Sequence, residues 1–214
     1  MRILLSIAHF FRAEEGSNHS STDAHRRDQR AAAIRSVIDA WRGHYGPVSS
    51  INVWQKKFEP IAGMADQLDI IVLVNGDNHL LDADYCRARG VRLYDAKLDN
   101  PRMLGFTAHR LFADARNIYD VFAFSEDDLR PTGNDLISRI LAFQDDFGWR
   151  RVIFPNRYEW NPHGPALKSY IDGMLRPGLL APFEEALPDE RFLKGRQGAR
   201  PLTFQRATNP HCGF

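Results

Sequence analysis

Short apolar runs alternate with amphipathic stretches along the first two-thirds of the chain. Arg2–Ala8, RILLSIA, is a nearly unbroken apolar run that predicts a buried strand. Residues 11–22 are polar and rich in Ser, Asn and Glu, which predicts a loop. A helix is expected from Thr22 or Asp23, with Ser21 or Thr22 as N-cap. Ile34, Val37, Ile38 and Trp41 follow at i, i+3, i+4 and i+7, one face of a helix, and Gly43 and Gly46 mark its exit. Residues 50–54 alternate weakly and predict a strand. DIIVLV, 69–74, is a β-branched run closed by NGDN, which predicts a second buried strand and a turn. A short strand is expected at Val91–Asp95 and a helix over 103–116 with Leu104, Ala108, Leu111, Phe112 and Ala115 inward. A strand follows over 119–124, a helix over 134–147 and a strand over 151–155.

Strands and helices thus alternate as far as residue 155. That order predicts the α/β class: a Rossmann-like three-layer sandwich around a mostly parallel sheet. Right-handed crossovers then gather the C-terminal strand ends along one edge, outside which ligands bind. After Asn156, six prolines from Pro162 to Pro201 break the pattern. This C-terminal part is expected to be irregular, with loops, short helices and one or two strands. It ends on TNPHCGF, which fits either a truncated copy of a longer protein or a terminal strand edge. The chain has no internal repeat and no low-complexity tract.

Composition narrows the function classes. The 214 residues are 43% hydrophobic and 26% charged, enough for one sizeable core. Lys and Arg total 28 against 27 Asp and Glu, a net charge of +1. A broad nucleic-acid surface calls for a basic excess, so no nucleic-acid partner is expected. Cys86 and Cys212 lack metal-type spacing and read as reduced thiols of a cytoplasmic protein, with one disulfide as the alternative. The N-terminal run lacks a small-residue cleavage site and reads as a core strand. No run approaches the ~20 apolar residues that span a bilayer. Peripheral membrane association is left open.

The most informative stretch is FSEDDLRP, 124–131, where a buried strand ends in Glu126, Asp127 and Asp128. Three adjacent carboxylates are tolerable if solvated, paired with cations or holding a metal. Hard divalent cations take carboxylate oxygens, Mg²⁺ often only one or two besides substrate phosphates. A solvated turn capping the next helix is the alternative.

The order of these pieces resembles nucleotide-sugar-dependent glycosyltransferases of the GT-A fold, especially the family-2-like group. ILLSIAHFFRAEEG stands where that family has its opening strand and nucleotide-facing loop. LDIIVLVNGDNH resembles its second strand, and LGFTAHRLFADARNIYDVFAFSEDDLRP the helix, turn and strand leading to its DxD-type metal motif, written here Glu126-Asp127-Asp128. NGDN departs from the family's acidic pair, and His109-Arg110 stands where Arg-Asn is more frequent.

The resemblance implies a nucleotide-sugar-binding domain over 1–155 and acceptor-side elements over 156–214. It implies transfer of a sugar from a nucleoside-diphosphate sugar to a carbohydrate or other hydroxyl acceptor, with Mn²⁺ or Mg²⁺ held by Asp128, Asp127 and the late His211. Nucleotide contacts are expected from Ser6, His9, Asp77, Arg102, Arg110, Glu126 and Asp127. Glu185 is the candidate general base of an inverting reaction. Tyr158, Trp160 and His163 offer an acceptor platform, and Arg130 is a candidate partner for Asp127 or Asp128. Two other readings remain: nucleotidyl transfer to a sugar phosphate, which AHFFRAEEG disfavours because it lacks a Gly-rich basic loop, and a non-catalytic binding domain of the same fold.

Overall fold

The N-terminal apolar run forms β1 (Arg2–Ala8), whose Ile3, Leu4, Leu5 and Ile7 are fully buried. In chain order there follow a 3-10 turn (Ala24–Arg26), α1 (Arg27–Tyr45), β2 (Ser49–Asn52), β3 (Lys57–Pro60), β4 (Gln67–Val74), α2 (Ala83–Arg89), β5 (Val91–Asp95), a second 3-10 segment (Pro101–Phe106), α3 (Thr107–Ala115) and β6 (Val121–Glu126). The computed structural model describes residues 1–17, 19–61, 67–148, 150–171, 178, 192–197 and 199–205. It divides into two compact units, Met1–Asn134 and Asp135–Phe214.

The first unit is built on a four-stranded sheet of order β5-β4-β1-β6, with every pair parallel. Alternation along β1 explains its two faces. Leu4 packs with Ile71 and Leu73 of β4 against Leu104 and Ala108, and Leu111 and Phe112 of α3 close the cluster. Ile3, Leu5 and Ile7 point the other way and are equally buried. The β1–α1–β4 and β4–α2–β5 crossovers step in one direction and the β5–α3–β6 crossover steps back. Right-handed crossovers therefore set α1 and α2 on one face and α3 on the other. Ile34, Val37, Ile38 and Trp41 are buried on α1, as their spacing predicts.

Several expectations shift. β6 begins two residues later than 119, because Asp120 accepts from the Arg2 backbone N–H (2.7 Å) and its own N–H donates to the Arg2 carbonyl (2.8 Å). This entry clamp sets the register Ile3↔Val121 and brings Glu126 into the strand opposite Ala8. The helix expected over 103–116 divides at Thr107, since Asn100 caps a 3-10 start through the Arg102 N–H. The strand expected from residue 50 is one arm of an antiparallel hairpin with β3. Helix α2 has no apolar period, only Cys86 buried. Its signals are its ends: Asp82 accepts from the Tyr85 N–H and Gly90 closes the helix at φ +58. Arg42 then donates to the carbonyls of Leu68, Arg89 and Gly90, tying α1 to β4 and to the α2–β5 turn.

The second unit holds α4 (Leu136–Phe147), β7 (Tyr158–Trp160), β8 (Lys168–Tyr170), β9 (Phe192–Gln197) and β10 (Arg200–Gln205). The strands form two antiparallel hairpins, β7–β8 and β9–β10. Helix α4 packs here through Phe143 and Phe147 around Phe204. Residues 151–155, expected as a strand, have no strand pairing.

Ser6 lies in the middle of β1, fully buried, with no partner for its hydroxyl. An unpaired buried hydroxyl costs more than it contributes. Ser6→Ala should therefore change stability by less than about 1 kcal/mol, or raise it, whereas its neighbour Leu5→Ala should cost about 2–5 kcal/mol. Urea unfolding of the two variants checks the contrast, and a large loss for Ser6→Ala would mean that the hydroxyl has a partner.

Candidate functional site

The direction of the crossovers reverses between β1 and β6, so the loops leaving these two neighbours diverge at the C-terminal edge of the sheet. His9 follows β1 and Asp127 follows β6, and they meet across that point. His9 Nδ1 lies 2.5 Å from Asp127 Oδ2, and His9 is 0% exposed. Its Nε2 accepts the Leu80 backbone N–H at 3.0 Å. That nitrogen carries no proton, so Nδ1 carries the one donated to Asp127. Histidine here orients a carboxylate and pins the loop after β4.

The other Asp127 oxygen, Oδ1, accepts from Arg30 Nη2. Arg30 Nη1 donates to Asp128 Oδ2 at 2.9 Å. Arg30 stands one turn before Ile34 on the inward stripe of α1 and is only 12% exposed. Burial acts against its charge, but Asp127 first and Asp128 next outweigh that, and its pKa is raised above the usual arginine value. The cluster thus contains one nearly buried ion pair, Arg30–Asp127, and one carboxylate, Asp128, that is 51% exposed. Arg130, a candidate partner for these acids, instead reaches Ser36 Oγ at 3.3 Å.

The loop after β4 completes the edge. The Phe11 N–H donates to the Asn78 carbonyl at 2.9 Å. Asn75 accepts from the Leu98 N–H and donates to the Leu98 carbonyl, so its amide is spent on backbone. Gly76 adopts the left-handed conformation its turn predicts, φ +59, and its N–H donates to Asp95. That bond, followed by one from Lys97, holds the Asp95 carboxyl below the usual range. Asp77 is exposed at the tip.

No protein-family model, curated protein or solved structure matches this chain. Of the expected residues, His9, Asp127 and Asp128 converge directly, Glu126 stands at the end of β6 and Asp77 on the neighbouring loop. Ser6 is corrected: enclosed in mid-strand, it does not reach the ligand edge. Arg110 is 84% exposed and its acid partner is Asp114, one turn on at 4.0 Å, a surface pair outside the network. Arg102 is exposed on the 3-10 segment. Glu185 and His211 lie outside the described residues. In the second unit, Lys168 Nζ sits 3.9 Å over the Tyr158 ring, so a protein cation already covers that face, while Trp160 is exposed.

Arg30 is the residue that sequence reasoning missed. Its signal was present: a cation four residues before Ile34, in phase with the buried stripe.

The network predicts a stability difference between adjacent acids. Asp127→Asn removes the charge that neutralises a buried guanidinium and should cost about 3 kcal/mol, while Asp128→Asn, half-exposed, should cost less than about 1 kcal/mol. Equal losses in urea unfolding would contradict the assignment of the buried pair. Next to His9, His79 is held below the usual histidine pKa of 6.5, chiefly by burial. The unfolded chain therefore takes up the His79 proton before the folded one, and this contribution to stability is lost as pH falls below about 6.5. Unfolding midpoints measured from pH 7 to 5 should fall less steeply in His79→Gln than in the parent chain.

Proposed function

We propose that this chain is a metal-dependent glycosyltransferase that moves a sugar from a nucleoside-diphosphate sugar to a hydroxyl acceptor. The observation that supports it best is the position of the acids: at the C-terminal end of β6, beside β1, where the sheet's crossovers reverse. Ligands of open α/β sheets bind at that point.

Among the described residues no group of three or more His, Cys, Asp or Glu side chains is arranged to hold a metal. Asp127 has both oxygens engaged by protein, while Asp128 offers a half-exposed carboxylate at the edge. This fits a hard cation of the Mg²⁺ or Mn²⁺ type that takes one or two carboxylates and completes its shell with water and substrate phosphates. Asp128 is then the direct ligand in the first unit, and Asp127 positions the turn that carries it. A bound cation would offset the negative charge that grows on the departing diphosphate. The protein's own part is to hold the Asp128 carboxylate through Arg30, to fix the loops after β1 and β4 through His9, and to present Asp77 and Glu126 to the nucleoside.

One observation favours another reading. Arg30 already neutralises part of the cluster, as it would if the acids served only the fold of a non-catalytic domain. The two readings differ in binding. With a single direct ligand in this unit, metal and nucleotide should bind together. Mn²⁺ alone should barely move the melting temperature, and Mn²⁺ with UDP or GDP should raise it by several degrees. Asp128→Asn should abolish that rise at an unchanged starting temperature. Absence of any metal-dependent rise with either nucleotide, or its persistence in Asp128→Asn, counts against the proposal. Release of a nucleoside diphosphate rather than pyrophosphate separates sugar transfer from nucleotidyl transfer.

A further inference from the structure

The β2–β3 hairpin is the least explained part of the first unit. Its strands are four residues each, paired Ser49↔Pro60 to Asn52↔Lys57. Ile51 stands opposite Phe58 on one face, and both are largely exposed. Val53 and Trp54 form the turn, and Trp54 is 97% exposed. The opposite face is polar: the Asn52 side chain donates to Glu59 at 3.2 Å, and Lys57 Nζ lies 3.1 Å from Glu59. Lys56 completes the turn in a left-handed conformation, φ +49, and is exposed. The turn is nonetheless well tied, since the Gln55 N–H donates to Asn52 Oδ1 at 3.1 Å and the Ile61 N–H extends the ladder to the Val48 carbonyl.

The ribbon is therefore amphipathic, with its largest apolar side chain at the tip and two lysines beside it. A two-stranded ribbon is marginal in water and gains from covering its apolar face. The face is small: two four-residue strands span roughly 13 Å by 10 Å at the usual rise and spacing. That is far below the ~800 Å² each partner contributes to a stable protein interface. A convex tip of this size suits a deformable apolar phase. Tryptophan favours the membrane–water boundary, and Lys56 beside it complements anionic headgroups.

We propose that the β2–β3 hairpin docks the protein onto membrane surfaces rich in anionic phospholipid, with Val53, Trp54 and Phe58 entering the interface and Lys56 facing the phosphates. The inference does not rest on the reading of the acid cluster.

Co-sedimentation of the full chain with vesicles tests it, comparing phosphatidylcholine alone with phosphatidylcholine carrying roughly 30% phosphatidylglycerol, enough to give a negative surface potential. Binding is expected to the anionic vesicles and to weaken as salt is raised. Trp54→Ala should lower the partition constant about tenfold through the lost apolar burial. Lys56→Glu should lower it by about fivefold or more and weaken the salt dependence. Trp54 and Lys56 are exposed, so circular dichroism and melting temperature should not change in either variant; if Trp54→Ala misfolds, the lysine variant carries the test. Absence of binding to anionic vesicles, or equal binding by both variants, overturns the proposal. So does a concentration-dependent dimer in size-exclusion chromatography that Trp54→Ala dissolves without vesicle binding, which assigns the face to a second copy of this chain.

Discussion

A carboxylate that is nine-tenths buried needs its charge answered within the protein, and in this chain that carboxylate is Asp127. Taking such an ion out of water costs several kcal/mol. Here the cost is offset from two directions: Arg30 supplies the opposite charge from α1, and His9 supplies a neutral N–H from the end of β1. The three residues lie on three elements that meet at one edge. Helix α1 must enter at Arg27 in the phase that turns both Arg30 and Ile34 inward. β1 must run through to His9. β6 must end at Glu126 so that the next residue turns under the edge. Ladder bonds set the sheet's spacing, but this pairing fixes how the loop after β6 leaves it.

The sheet was legible because its strands are unusually apolar. RILLSIA and DIIVLV have no competing helical period, and the order of elements around them implied parallel pairing before any contact was known. Boundaries were less legible, for local reasons. β6 moved toward its C-terminus because Asp120 is used as a clamp on Arg2, a contact between residues far apart in sequence. Helix α2 escaped because seven residues with a single buried Cys86 give no periodicity. The β3 arm of the hairpin escaped because QKKFEP, with two lysines and a proline, has weak strand character. Its partner β2 is little better, and only their pairing makes either a strand.

The site was legible as a place but not as a mechanism of charge. Position after an apolar strand put Glu126, Asp127 and Asp128 at the C-terminal end of β6, although β6 is the outermost strand of the sheet and only half-buried rather than enclosed. The sequence treats them as equals, and the structure does not. Alternation at the strand end sends Asp127 beneath the loop toward His9 and leaves Asp128 half in solvent. Ser6 illustrates the opposite failure: a polar residue in an apolar strand invites a functional role, yet its hydroxyl is simply enclosed.

That inequality bears on what the edge can do. Asp127 and Asp128 carry two negative charges against the single positive charge of Arg30, and His9 adds none in the tautomer its bonds require. One negative charge is left over. Desolvation decides where it resides, because the buried carboxylate needs the guanidinium most and the exposed one can lean on water. The excess therefore sits on Asp128, on the side of the cluster that solvent and ligands reach. An arrangement of three neutralised acids would have no call on a cation, and three exposed acids would hold one without orientation. Arg30 instead leaves Asp128 incompletely compensated at the point where the sheet's crossovers part, and in the function proposed above a cation is the kind of ligand whose charge such a group complements.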